Sequence, residues 1–360
     1  MDISTNHVMV TGGTGFIGGR FSERLVEAGA TVHLLARNRE KADEARKGGY
    51  HVTDGDLSDT DALHKAVRGC ERVFHCAHNF SLGMADAIRV NVGGTRNLLE
   101  AARDEGISRF IYLSSVAVYG EKPPDGTDES RDLPLTGDPY ADSKILAEKE
   151  VLSFSRTHGL PVVILRPAIV YGPASRVWSI GIVRSLQAKD TIVVGNGDGI
   201  CNSLYVDNLV DAIILADETD AAVGEAFNIT DGEVCTWGEY IGYYARMLGM
   251  TAPPSCPKWL ANIVAYAFLP PFVLAGRMHT PSWEPARFLV RGIRFALNAI
   301  REPSFRICAL RPGNIRYFTH RAVFDIRKAG EVLGYRPRVG LDEGMAKTEA
   351  WLRREGYLDK

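Results

Sequence analysis

Through roughly the first 170 residues, short β-branched apolar runs alternate with stretches whose apolar positions recur every three to four residues. The runs predict strands at His7–Thr11, Thr31–Ala36, His51–Asp54, Arg72–Ala77, Phe110–Ser115 and Val162–Arg166. The helical spacing predicts helices over Phe16–Ala28, Arg39–Lys47, Asp59–Val67, Met84–Asp104 and Pro139–His158. Regular strand–helix alternation is the pattern of an α/β protein, a doubly wound parallel sheet with helices on both faces. Beyond Pro167 the periodicity weakens, although Ala226–Ile229 reads as a seventh strand. The expected organisation is therefore a first domain over 1–166 and a smaller, mostly helical domain over 167–360, with residues near 204–230 returning to the first.

The first strand runs into Thr11-Gly12-Gly13-Thr14-Gly15-Phe16-Ile17-Gly18, and a helix follows at once. Glycines there permit a tight turn and close backbone approach to a pyrophosphate, whose charge the helix amino terminus favours. This context predicts a Rossmann-type dinucleotide site at Gly12, Thr14, Gly15, Phe16, Ile17 and Gly18. A Walker-type loop is excluded, because no Gly-Lys-Ser/Thr follows. A NAD site usually places an acid on the ribose 2′-hydroxyl at the end of the second strand. This chain has Ala36-Arg37 there, with Arg39, Lys41 and Arg20 nearby. Guanidinium suits a 2′-phosphate, so NADP is expected, with NAD as the alternative. Asp56-Leu57, after the third strand, are placed to meet the adenine.

Composition excludes several classes. At 45% hydrophobic and 24% charged residues the chain is neither disordered nor fibrous. Its six cysteines contain no C-x-x-C pair and read as reduced thiols of a cytoplasmic protein. The amino terminus lacks the features of a secretory leader. No nucleic-acid partner or metal site is expected, and a homodimer remains open. The net charge of −2 conceals an asymmetry, since Arg277–Arg338 holds twelve arginines and one lysine against four acids.

Tyr140 and Lys144 lie four residues apart in Asp138-Pro139-Tyr140-Ala141-Asp142-Ser143-Lys144, with Asp138 suited to a helix cap and Pro139 to a first helical position. They share one helix face. An ammonium beside a phenol is expected to lower its pKa, so that Tyr140 exchanges a proton with a carbonyl or alcohol oxygen. Ser115, at the end of the fifth strand, is placed to donate to the same oxygen.

The chain resembles the extended short-chain dehydrogenase/reductase superfamily at Thr11-Gly12-x-x-Gly15-x-x-Gly18, Asp56-Leu57, His75-Cys76-Ala77 and Asn91-Val92-x-Gly94-Thr95. The match continues through Tyr112-Leu113-Ser114-Ser115-x-x-Val118-Tyr119-Gly120, Tyr140-x-x-x-Lys144 and Arg166-Pro167. The resemblance implies that Ser115, Tyr140 and Lys144 are the catalytic triad. It also implies that Lys144 holds the nicotinamide ribose, that Ala77 and Pro167 line the cofactor, and that Asn91 belongs to the cofactor site. His78 departs from the Ala or Gly usual after His75-Cys76-Ala77 and is expected to face the substrate.

Within that superfamily an intact triad argues against a non-catalytic nucleotide sensor. Val116-Ala117 after Ser115 lack the carboxylates that dehydratases of the family generally need. Cys201-Asn202-Ser203 lack the diphosphate-binding arginine usual in epimerases. The later chain instead resembles the 3β-hydroxysteroid dehydrogenase and sterol-4-carboxylate dehydrogenase branch. The matching pieces are Gly195-x-Gly197, Tyr205-Val206-x-Asn208, Phe324-Asp325-Ile326-Arg327-Lys328-Ala329, Leu333-Gly334-Tyr335-x-Pro337 and Glu343-Gly344 ahead of Trp351-Leu352. The resemblance implies oxidoreduction between a ketone and a secondary alcohol on a hydrophobic, sterol-like substrate, the alternative being a nucleotide-sugar epimerase or reductase. An apolar segment over 259–275, followed by a basic amphipathic helix to Arg301, suits either packing on the second domain or peripheral membrane contact.

Overall fold

The structure is a computed structural model and describes residues 7–80, 83–188, 193–251, 255–259, 261–262 and 312–358. The strands are β1 (His7–Thr11), β2 (Thr31–Ala36), β3 (His51–Asp54), β4 (Arg72–His75), β5 (Arg109–Leu113), β6 (Val162–Pro167), β7 (Ile169–Tyr171), β8 (Val193–Val194), β9 (Ser203–Tyr205), β10 (Ala226–Ile229) and β11 (Ser255–Cys256). Seven of them form one parallel sheet in the order β10-β6-β5-β4-β1-β2-β3. β7 pairs with β9 and β8 with β11 in two small sheets.

The helices are α1 (Phe16–Glu27), α2 (Arg39–Lys47), α3 (Thr60–Val67), α4 (Met84–Ala87), α5 (Gly94–Asp104), α6 (Pro139–His158), α7 (Gly181–Gln187), α8 (Val206–Glu218), α9 (Trp237–Met247), α10 (Pro312–Thr319), α11 (Arg327–Val332) and α12 (Leu341–Arg354). Their ends follow the sequence. Asn38, Asp59 and Asp138 cap α2, α3 and α6 by accepting from backbone N–H groups, and Thr236 with Glu239 forms a capping box on α9.

Alternation along β1 distributes its side chains over the two faces of the sheet. Val8 and Val10 pack with Phe21, Leu25 and the α8 residues Leu209 and Ile213, whereas Met9 packs with Leu63, Leu98 and Val151 on the other side. β1 is bonded to both β2 and β4, so the strand order reverses beside it. A crevice opens at such a switch point, beyond the carboxyl ends of the strands. Thr11, His75 and Leu113 end three adjoining strands around it.

β10 joins the sheet beside β6, with Ala226 opposite Ile164 and Ile229 opposite Pro167. Phe324 bridges Thr127, and the Asn228 amide donates to the carbonyls of Thr127 and Asp325, which seats the 324–326 segment against the edge of the sheet.

One predicted helix is interrupted. Met84–Asp104 forms as α4, a π-helical turn at Ile88–Gly93, and then α5. The segment 263–301, with the predicted basic helix and most of the apolar run, lies outside the described residues. Among the described residues no helix is long and apolar enough to cross a membrane.

Candidate active site

The glycine turn is built for close approach. Gly12 has φ +71°, and a Cβ there would lie 2.9 Å from the Ala77 nitrogen. A Cβ on Gly18 would lie 2.5 Å from the Gly12 carbonyl oxygen, so α1 can rise directly from the turn only with glycine at that position. Gly15 donates to the Gly12 carbonyl at 2.8 Å. No side chain caps α1 and its first turn carries no acid. The unpaired N–H groups and the helix dipole thus favour an anion at Thr14–Ile17. Phe16 and Ile17 pack partly buried against the core, fixing the helix start.

Arg37 is exposed just beyond β2, and its charge acts on Asp56, whose carboxyl lies below its ordinary value mainly through hydrogen bonds from Ser58. Lys41 donates to the Thr14 carbonyl at 3.2 Å. Leu57 packs against Gly94, and its carbonyl accepts from Asn97 at 2.9 Å. Arg20 is not available to a phosphate. Its guanidinium donates to Asp207 at 2.6 Å and to Glu23 at 3.1 Å, because α1 lies against α8 and the neighbouring acids claim it.

A chain of hydrogen bonds crosses the floor of the crevice. Ala77 N–H donates to Thr11 Oγ1, which lies 2.7 Å from His75 Nδ1, while His75 Nε2 lies 2.9 Å from Thr95 Oγ1. Thr95 gives its own proton to the Asn91 carbonyl at 2.6 Å. His75 must therefore donate from Nε2 and accept at Nδ1, a neutral tautomer. Burial agrees, pushing His75 down to about 3 with Lys144 adding to the effect. The chain fixes the Ala77 backbone opposite Gly12.

Asn91 lies in the π-helical turn. Its side chain accepts from Asn79 N at 3.0 Å and donates to Asn79 O at 3.1 Å and His78 Nε2 at 3.3 Å. Asn91 thus grips the 77–79 segment. His78, accepting at Nε2, is neutral, and burial, with the Lys144 charge adding to it, pushes it down to about 2. It stands edge-on to Tyr140 with ring centroids 5.0 Å apart.

Tyr140 and Lys144 occupy one face of α6. The preceding turn is clamped by buried Asp142, which accepts from Thr136 N at 2.6 Å, Thr136 Oγ1 at 2.8 Å and Gly137 N at 3.0 Å. Ser115, at the cap of the 3₁₀ turn Val116–Tyr119, accepts from Ala117 N at 3.2 Å, and its hydroxyl acts on the Tyr140 phenol, favouring the ionised form. Lys144 is buried. Its Nζ donates to the Leu113 carbonyl at 2.6 Å and lies 4.9 Å from the centre of the Tyr112 ring. Pro167 is buried at the end of β6.

The electrostatics differ from the sequence expectation. Burial raises the Tyr140 phenol above its ordinary value, with the Ser115 hydroxyl opposing, and burial lowers Lys144 to about 7. Desolvation dominates at both groups, so in the protein without cofactor the phenol keeps its proton.

Phe80 was not singled out by the sequence. It lies over Tyr140 with ring centroids 5.0 Å apart and planes at 28°, and it is 70% exposed. No local pattern marks a lone aromatic in a loop as part of a site.

Residues 8–230 match the NAD dependent epimerase/dehydratase family. The chain belongs to that family. It is an NAD(P)-dependent oxidoreductase similar to several dehydrogenases and reductases. It is 30% identical over 353 residues to the mouse (Mus musculus) sterol-4-alpha-carboxylate 3-dehydrogenase, decarboxylating, covering 94% of this chain and 89% of that protein. It is 32% identical over 311 residues to the 2-alkyl-3-oxoalkanoate reductase of Stenotrophomonas maltophilia, covering 78% and 92%. The fold matches the UDP-glucose 4-epimerase of Thermotoga maritima with a TM-score of 0.70 at 24% identity, over 97% of this chain and 99% of that one. That likeness places this oxidoreductase among Rossmann-type proteins, with the sheet order and crevice described above.

Proposed function

We propose that this oxidoreductase reduces a ketone on a hydrophobic, sterol-like substrate with NADPH. One observation carries the reading. The Tyr140 phenol keeps its proton at neutral pH, feels the Ser115 hydroxyl, and is flanked by the rings of His78 and Phe80. A protonated phenol is a general acid, the role required for reduction. Aromatic flanks suit an apolar substrate.

The residues present fit a nicotinamide dinucleotide. The turn Gly12–Gly18 and the uncapped α1 would hold the pyrophosphate, the Ala77 backbone, Asn91 and Pro167 would line the nicotinamide half, and Leu57 with Asp56 would meet the adenine. Arg37, with no acid at the end of β2, supports a 2′-phosphate. A reduced nicotinamide seated there supplies the hydride. Tyr140 Oη gives its proton to the substrate oxygen as negative charge develops on it. Ser115, whose oxygen accepts from Ala117, has its own proton to donate to that oxygen. Lys144, beneath the site, would bond the nicotinamide ribose and stabilise the phenolate that remains.

The names of the relatives, sterol-4-alpha-carboxylate 3-dehydrogenase and 2-alkyl-3-oxoalkanoate reductase, support a substrate rich in hydrocarbon. A nucleotide sugar is less well served. Asn202, where epimerases usually have an arginine close by, donates to Ala322 at 3.0 Å and accepts from Phe324 at 3.2 Å. The test is NADPH consumption across 3-ketosteroids, β-keto acids and UDP-sugars. Turnover of a hydrophobic ketone is expected, and turnover confined to UDP-sugars would overturn the reading.

A further inference from the structure

A second set of buried polar groups lies behind the site, and the chemistry above does not use it. Glu148 follows Lys144 by one helical turn on α6, with its side chain 2% exposed. Its carboxylate is held by Arg166 of β6 through Nε to Oε1 at 3.0 Å and Nη2 to Oε2 at 2.6 Å. Arg166 also donates from Nη1 to the Tyr119 hydroxyl at 2.7 Å, and its guanidinium lies 5.2 Å from the centre of that ring. Tyr119 donates a hydrogen bond to Asn228 Oδ1 at 2.8 Å. Tyr119 closes the same 3₁₀ turn that Ser115 opens.

Three charges are therefore buried together, and their sum is +1. A carboxylate already forked onto a guanidinium is fixed in place, and its remaining field falls on Lys144. The other groups facing Lys144 are His75, Cys76 and His78 from β4 and the loop after it, Tyr112 from β5, and Tyr140 on its own helix. The histidines are neutral and burial pushes the Cys76 thiol up to about 12, so Glu148 is the ionised acid acting on the ammonium.

We propose that Glu148 and Arg166 are positioning residues for the Ser115–Tyr140–Lys144 site: Glu148 sustains the charge on Lys144, and Arg166 holds Glu148 and, through Tyr119, the turn that presents Ser115. This deepens the proposed function, because it describes what keeps the same site ready for proton transfer. Burying an ion pair contributes little to net stability, so its placement behind Lys144 calls for a reason other than stability.

The test reads Lys144 directly, without substrate. Full-length protein carrying lysine labelled with carbon-13 at Cε is titrated by NMR, the Lys144 signal being assigned by its loss in Lys144→Arg. The wild type should titrate near neutrality. Glu148→Gln should move the midpoint down by about one unit or more, the effect of losing an opposite charge nearby. Because that variant leaves Arg166 unpaired, Glu148→Gln/Arg166→Met, which removes both charges, is measured alongside. A downward shift is expected from whichever variant folds, smaller in the double variant because the like charge of Arg166 is removed as well. An unchanged midpoint in a folded variant would overturn the proposal and leave the pair a structural clamp. Loss of ketone turnover with an unchanged Lys144 titration would point to altered packing rather than lost charge, and would overturn it equally. Lack of ketone turnover in the wild type would refute the functional reading while the titration still decided this one.

Discussion

Phe80 lies nearly parallel to Tyr140, with ring centroids 5.0 Å apart, although most of Phe80 is exposed. An exposed phenylalanine gains little from water, so its apolar face is available to a ligand. Phe80→Ala should raise KM for a hydrophobic ketone about tenfold, the scale of burying part of one aromatic side chain. The NADPH dissociation constant should stay within a factor of about two. Steady-state kinetics with fluorescence titration of NADPH checks both, and an unchanged KM would remove Phe80 from the substrate site.

Tyr140→Phe deletes the proton donor and keeps the ring. Its kcat should fall at least ~10²–10⁴-fold while NADPH still binds. Ser115→Ala removes one donor to the developing charge and should cost about 10²–10³-fold in kcat. Near-normal turnover in Tyr140→Phe would exclude the phenol as the acid.

The direction of reaction should show in its pH dependence. Lys144 is lowered to about 7 and Tyr140 is raised. Reduction needs the neutral phenol and benefits from the ammonium, so its kcat/KM for NADPH, which reports groups of the free enzyme, should be level below about pH 7 and fall above it. Oxidation needs the phenolate and should climb with pH. A reduction rate that rises steadily into the alkaline range would contradict these assignments.

The same lysine makes the cofactor-free protein's stability depend on pH. Its folded pKa lies below its unfolded value, so between about 7 and 10.5 the unfolded chain binds more protons and stability rises with pH. Below about 7 the full cost of a buried ammonium is present. Lys144→Met should therefore raise Tm more at about pH 6 than at about pH 10, because the lowered pKa is the net cost of the ammonium after its hydrogen bond to Leu113 is counted. Thermal melts of the two proteins at each pH decide it, and an equal difference at both would contradict the shift.

Cofactor choice should rest on the end of β2. Ala36→Asp with Arg37→Asn supplies a carboxylate for a ribose hydroxyl and removes the guanidinium that suits a phosphate. The ratio of kcat/KM for NADPH over NADH should fall by about tenfold or more. A wild type indifferent to the 2′-phosphate would refute this role for Arg37.

Much of this arrangement was legible because it is local. The glycine turn stands between a β-branched strand and an apolar helix, and Asp138, Pro139, Tyr140 and Lys144 sit within two turns of one helix, so spacing alone aligns them. Groups that meet through the sheet were not legible. Thr11, His75 and Thr95 join only because β1 and β4 are neighbours, and Glu148, Arg166, Tyr119 and Asn228 meet only across β6 and β10. The π-helical turn that carries Asn91 was not legible either, because nothing local in Ile88–Gly93 distinguishes it from ordinary helix. Arg20 misled for a related reason: sequence proximity to the glycines says nothing of Asp207, which α8 brings against it.

The central claim is that Tyr140 hands a proton to the oxygen of a hydrophobic ketone while NADPH is consumed. The most direct measurement follows NADPH absorbance with wild type and Tyr140→Phe, offering a 3-ketosteroid and, separately, a UDP-sugar. The account predicts consumption by the wild type with the steroid, formation of the corresponding alcohol, and loss of both in Tyr140→Phe. Consumption unaffected by Tyr140→Phe, or a wild type that acts on the UDP-sugar and ignores the steroid, would contradict it.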